Sequence, residues 1–291
     1  MEFSKPSIAI VLSFLLFIYS YVFIFNTIDY RTFLNYLKPS IAIYARSDHD
    51  IKPAKGTDHT ENERTGIYVP LYSYPTLPEW SEVVRIKELF PMVPFLTCIN
   101  PSNGPGSGFE PAFATGIDSL NKAGILVGGY LATNYGHKPQ SQVKEEISKY
   151  KMWYDKVNGI CFDEMQSKPG KEKYYESMTR FSKSLGFNFT VGNPGTDVSP
   201  TYVGKVDYMK IYEGSGIPAL SSLKGWHMKY NKKNFMTIAY DVPYVNYTYL
   251  ADVTKYLGFL YITDDILPNP YDTLPNYLMN ITRFLNSTYG Y

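Results

Sequence analysis

From Gly66 onward, short apolar runs alternate with longer amphipathic stretches, and this alternation constrains the fold more than any other feature of the chain. The strand candidates are Ile67–Tyr74, Val93–Asn100, Ile125–Thr133, Gly159–Glu164, Phe189–Asn193, Tyr208–Glu213, Phe235–Asp241 and Gly258–Thr263. Each is bounded by Gly, Pro, Asn or Asp, residues that favour turns and so punctuate strands. Helical patterns lie between them over Glu79–Phe90, Pro111–Ala123, Ser141–Lys156, Lys171–Leu185 and Tyr271–Asn286. Pro111 and Ser141 suit a first turn or cap, and Gly124 and Gly186 stand where helices end. The fifth link, Ser199–Lys205, has room for barely one helical turn. Alternating βα units imply a parallel sheet, either open or closed. Eight units in roughly 225 residues match a closed barrel. No Gly-rich nucleotide fingerprint follows the first strand, where Pro70-Leu-Tyr-Ser-Tyr-Pro75 stands instead. The expected fold is a (β/α)8 TIM barrel over residues 66–291.

The sequence upstream divides in two. Residues 1–28 contain an uncharged run from Ser7 to Phe25. As a helix it covers about 28 Å, close to the ~30 Å hydrocarbon core of a bilayer. A cleaved signal peptide is the rival reading, but its apolar region spans about 7–15 residues and ends in small side chains. Here the run ends in the bulky Val22, Phe23, Ile24 and Phe25, so a retained N-terminal transmembrane anchor is expected. Residues 29–65 form a juxtamembrane segment and then, from Ala45, a polar tether too poor in apolar residues to build a core. Lys5 on one side and Arg31 and Lys38 on the other do not settle the orientation. Four Asn-x-Ser/Thr triplets, at Asn188, Asn246, Asn280 and Asn286, favour export of the barrel. The expected location is the cell surface, with the barrel outside.

Charge and cysteine content exclude several classes. The chain carries 28 Lys+Arg against 27 Asp+Glu, which gives no electrostatic reason for a nucleic-acid partner. Four scattered histidines lack metal-ligand spacing, so neither metal nor cofactor is expected. Two cysteines make no disulfide framework. Cys98 and Cys161 fall on alternate strands, roughly 9–10 Å apart and beyond the ~7 Å reach of a disulfide. They are expected as free core thiols. The 28 tyrosines suit a sugar-binding cleft and half-buried packing equally well.

Active sites of such barrels lie at the C-terminal strand ends, where the loops converge. The residues there are Tyr72 and Tyr74, Asn100, Asn134 and Tyr135, Asp163 and Glu164, Asn193, Glu213, Tyr240 and Asp241, then Asp264 and Asp265. Asn and Asp favour turns in any loop, yet Asp163-Glu164 and Glu213 leave apolar strands directly at the mouth. Two carboxylates across a cleft are what glycoside hydrolysis needs, one protonating the leaving oxygen and one acting as base or nucleophile. Strand parity places Cys161 with Asp163, and Cys98 with Asn100, on shared faces. The loop Asn100–Gly108 is Gly-rich but lacks the Lys-Ser/Thr ending of a phosphate loop, and reads as a rigid rim turn.

These segments resemble the spherulin-4 family, spherulation-specific family 4. The similar stretches are Val69–Pro75, Val93–Phe95 with Asn100–Gly106, Gly129–Gly136, Gly159–Glu164, Asn193–Gly195 and Ile262–Asp265. They run in order through the barrel region and cover neither anchor nor tether. The resemblance implies a (β/α)8 barrel and a glycosidase acting on α-linked galactosamine or N-acetylgalactosamine polymers. It also implies essential acids at Asp163, Glu164 and Glu213. A membrane span is not part of the family pattern.

The leading expectation is therefore a membrane-anchored, endo-acting glycosidase of an amino-sugar polysaccharide. Glu213 would be the general acid, protonated by enclosure in the barrel, with Asp163 as nucleophile or base and Glu164 orienting substrate or tuning Asp163, or that pair with its roles exchanged. Tyr72, Tyr74, Tyr130 and Tyr135 would stack on sugar rings. Asn100, Asn134, Asn193, Asp241 and Asp264 would bond polar groups of the substrate. A non-catalytic, lectin-like barrel and a structural envelope protein are the alternatives. The sequence does not specify the oligomeric state.

Overall fold

The computed structural model describes residues 64–288. The expected anchor at 1–28 and nearly all of the tether lie outside the described residues. Among the described residues, no helix is long and apolar enough to cross a membrane.

Eight parallel strands close into one barrel, each hydrogen-bonded to its sequence neighbours and β1 to β8. They are β1 (Gly66–Leu71), β2 (Phe95–Ile99), β3 (Leu126–Ala132), β4 (Gly159–Asp163), β5 (Phe189–Gly192), β6 (Tyr208–Ser215), β7 (Phe235–Tyr240) and β8 (Phe259–Ile262). Helices α1 (Pro78–Leu89), α2 (Pro111–Lys122), α3 (Gln140–Trp153) and α4 (Glu172–Ser184) cover the first half. Each buries residues three or four apart against the strands, as Val143, Ile147 and Tyr150 do on α3. The fifth crossover holds only a 3-10 turn, Pro200–Tyr202. The seventh holds a short helix, α5 (Tyr247–Val253), capped by Asn246, whose Oδ1 accepts the Tyr249 N–H. The last helix, α6, spans Leu278–Thr288. The sequence pattern starts it at Tyr271, but Pro275 interrupts that stretch and the residues before Leu278 form a loop over the barrel mouth.

Two glycines in β3 set how closely the layers approach. A Cβ on Gly128 would stand 2.5 Å from Cys161 Sγ inside the barrel. One on Gly129 would stand 2.6 Å from the Tyr150 ring outside it. The absent side chains admit a thiol on one face and a phenol on the other. The Tyr150 hydroxyl donates to the Tyr130 carbonyl at 3.0 Å. Cys98 and Cys161 are both free and buried, as the strand spacing predicts.

Strand β6 departs from regular alternation. Lys210 pairs with Met236 and Tyr212 with Thr237, which leaves Ile211 as an extra residue between them. Such a bulge resets which side chains share a face. Lys210 and Glu213, three apart, both face the barrel interior, where the Lys210 Nζ lies 3.8 Å from Glu213 Oε2. A regular strand would send one of them outward.

Candidate active site

The C-terminal mouth gathers its polar groups around one buried amide. Asn193 follows β5 and is 8% exposed. Its Nδ2 donates to Asp163 Oδ1 at 2.6 Å and to Glu213 Oε2 at 2.7 Å. Its Oδ1 accepts the Gly195 N–H at 3.0 Å, which identifies the two ends of the amide. Both side-chain donors are thus engaged by the carboxylates, so Asn193 bridges the two acids. Asp163 on β4 and Glu213 on β6 face each other across β5.

Aromatic side chains wall this pair. Tyr271, in the loop after β8, donates its hydroxyl to Glu213 Oε1 at 2.5 Å. Tyr130 on β3 stands beside Asp163. The half-buried Tyr72 meets both edge-on, with ring centroids 5.8 Å from Tyr130 and 5.8 Å from Tyr271. Burial, and then the neighbouring charge of Asp163, pushes the Tyr130 phenol far above its usual range. Burial and then Glu213 do the same for Tyr271. Both phenols therefore stay protonated, and Tyr271 serves as a donor.

Glu164 stands apart from this pair. Its side chain is exposed, and its Oε2 accepts the Asn134 N–H at 3.1 Å. Its φ of 50° and those of Asn134 (47°), Tyr135 (52°) and Asp241 (57°) are left-handed. Such backbone is sparsely populated by non-glycine residues and clusters at functional sites. The β3 and β4 ends are locked together: the Tyr135 N–H donates to the Glu164 carbonyl at 2.7 Å, and Thr133 Oγ1 to the Asp163 and Glu164 carbonyls.

The remaining candidates form the rim. Tyr74 is 44% exposed and packs its ring on Phe113 of α2. Asn100 Oδ1 accepts the Gly104 N–H at 3.0 Å and so organises its own Gly-rich loop. That loop holds Asn103, Gly104 and Gly106 at positive φ, as a rigid turn requires. Tyr135 is half exposed, Asp241 accepts the Ser215 hydroxyl at 2.8 Å, and Asp264 is exposed. The structure brings Tyr72, Tyr130, Asp163, Asn193 and Glu213 together, and spreads Glu164, Tyr74, Asn100, Asn134, Tyr135, Asp241 and Asp264 around them. Sequence reasoning missed Tyr271, which the helical pattern of its segment concealed, and Lys210. A lone cation within the apolar strand Tyr208-Met-Lys-Ile-Tyr212 was the available signal.

Fold and mouth define a (β/α)8 barrel with two facing carboxylates at its C-terminal end. The sequence profile of spherulation-specific family 4 matches residues 66–285, and the chain belongs to that family. It is 27% identical over 235 residues to Spherulin-4 of Physarum polycephalum, covering 75% of this chain and 69% of that protein. Its barrel is similar to the crystal structure of Aspergillus clavatus Sph3 in complex with GalNAc, with a TM-score of 0.69 and 22% identity. That match covers 79% of this chain and 100% of the other.

Proposed function

We propose that this protein is a glycoside hydrolase of an amino-sugar polymer of the galactosamine or N-acetylgalactosamine type. One observation carries the reading: a single Asn193 nitrogen within 2.7 Å of both Asp163 and Glu213. Oxygens 2.6 and 2.7 Å from one nitrogen lie at most about 5.3 Å apart, nearer the ~5–5.5 Å of retaining glycosidases than the ~6.5–9.5 Å of inverting ones. The donors on Glu213 suit a carboxylate that attacks better than one that must yield a proton. Asn193 donates to both acids, but Tyr271 donates to Glu213 alone and the Lys210 cation lies 3.8 Å from it. This favours exchanging the roles expected from sequence. Glu213 attacks the anomeric carbon while Asp163 protonates the departing glycosidic oxygen; Asp163 then deprotonates the water that releases the glycosyl ester. Glu164, on the exposed side, orients substrate. GalNAc bound to the similar Sph3 barrel supports the sugar class.

The test incubates the full chain with acetylated and deacetylated galactosamine polymers and looks for new reducing ends. Release of oligosaccharides is expected, with the anomeric configuration retained by NMR. Binding without release would instead mark a lectin-like barrel. An aryl glycoside with a good leaving group separates the roles: the Asp163 variant should keep its glycosylation rate, and the Glu213 variant should not.

We further propose that the Ser7–Phe25 run tethers the barrel to the outer face of the cell. Protease added to intact cells should release the barrel by cutting between residues 52 and 64. A soluble mature chain starting after Phe25 would refute the anchor.

A further inference from the structure

A lysine lies beneath the two carboxylates. Lys210 is 3% exposed, and its Nζ sits 3.8 Å from Glu213 Oε2 and 4.7 Å from the centroid of the Tyr68 ring. The ionisable groups facing it are Tyr68 on β1, Cys98 on β2, Cys161 and Asp163 on β4, and Glu213 on its own strand. Enclosing an ammonium is unfavourable unless charge compensates it. A methionine would fill the volume of an apolar strand without that penalty. Burial works against the Lys210 ammonium, yet Glu213 first and then Asp163 carry it above its ordinary value. The coupling is reciprocal, because a cation held by carboxylates also stabilises their anions. The ring beneath it adds a cation–π contact that needs no proton acceptor. The Ile211 bulge is what turns Lys210 and Glu213 to the same side.

We propose that Lys210 is a positioning residue, a buried counter-charge that pairs with Glu213 and holds it aimed at the reacting carbon. This rests on the glycosidase reading for its catalytic consequence, but the charge coupling can be measured without turnover. The full chain and its Lys210→Met variant are compared by pH profiles of polymer cleavage and by carboxyl-carbon NMR titration of Glu213. In the variant the acidic limb of kcat/KM and the Glu213 titration should both move up by about one to three pH units. The loss of kcat/KM should be on the order of 10–1,000-fold on the acidic limb and shrink as pH rises. KM should change little. A uniform loss at every pH with an unmoved Glu213 titration would overturn the proposal and leave Lys210 a packing residue. If Lys210→Met does not fold, Lys210→Met/Glu213→Gln removes the charge with its partner and should restore folding; continued failure to fold would count against the pair. If the wild-type chain cleaves no glycan, the hydrolase reading falls, and the NMR titration still decides the coupling.

Discussion

At the scale of single residues, the mouth sets two facing carboxylates among the side chains that hold them. Asp163 and Glu213 share Asn193 as a spacer, and on the proposed glycosidase reading removing either charge should impair the transition state more than binding. Asp163→Asn and Glu213→Gln are each expected to lower kcat roughly 10²–10⁴-fold with little change in substrate affinity, measured on a defined oligosaccharide. Cleavage within a factor of about three of wild type in both would show that the acids lie elsewhere. Tyr271 makes a subtler contribution. Tyr271→Phe keeps the ring that packs on Tyr72 and removes the donor to Glu213. A loss of about 1.5–3 kcal/mol, the worth of a hydrogen bond to a charged group, is expected in kcat/KM. Unchanged kinetics would make Tyr271 a wall and not a donor.

At the scale of elements, strand β3 shows how the barrel makes room for its contents. Gly128 admits the Cys161 thiol, and an added Cβ would stand 2.5 Å from that sulfur. Gly128→Ala should therefore destabilise the fold by about 1–3 kcal/mol, read as a lower midpoint in denaturant. Cys161→Ala in the same chain should recover most of that loss, because the clashing atom is gone. If the double variant is no more stable than Gly128→Ala alone, the close approach is not what the glycine serves. The β6 bulge illustrates the opposite device, an extra residue that re-aims a side chain. Alternation correctly places Cys161 and Asp163 on one face of β4. It fails for β6, where Ile211 has no counterpart on β7.

At the scale of the whole molecule, closure of the barrel decides what solvent reaches. Cys98 and Cys161 are 1% and 4% exposed, and burial pushes the Cys161 thiol well above its ordinary range. Both should resist alkylation in the folded protein and react at the rate of unfolding, as mass spectrometry of a labelling time course would show. Rapid labelling of either thiol, or a disulfide in unreduced protein, would contradict this interior arrangement.

The sequence by itself determined the order of eight βα units, the closed topology, the free thiols and the strands that carry Asp163, Glu164 and Glu213. These are local properties: hydrophobic period, turn residues, chain length and strand spacing are written in contiguous segments. Only the tertiary structure decided which polar strand ends meet. Asn193 is legible in the sequence as a polar strand end, but that its two donors bridge acids from neighbouring strands is not. Tyr271 read as the start of a helix until its loop folded over the mouth onto Glu213, 58 positions earlier. Lys210 read as one more residue of an apolar strand until the bulge turned it beneath the same carboxylate. Contacts between segments distant in sequence depend on register, bulges and loop paths, which emerge only when the barrel closes.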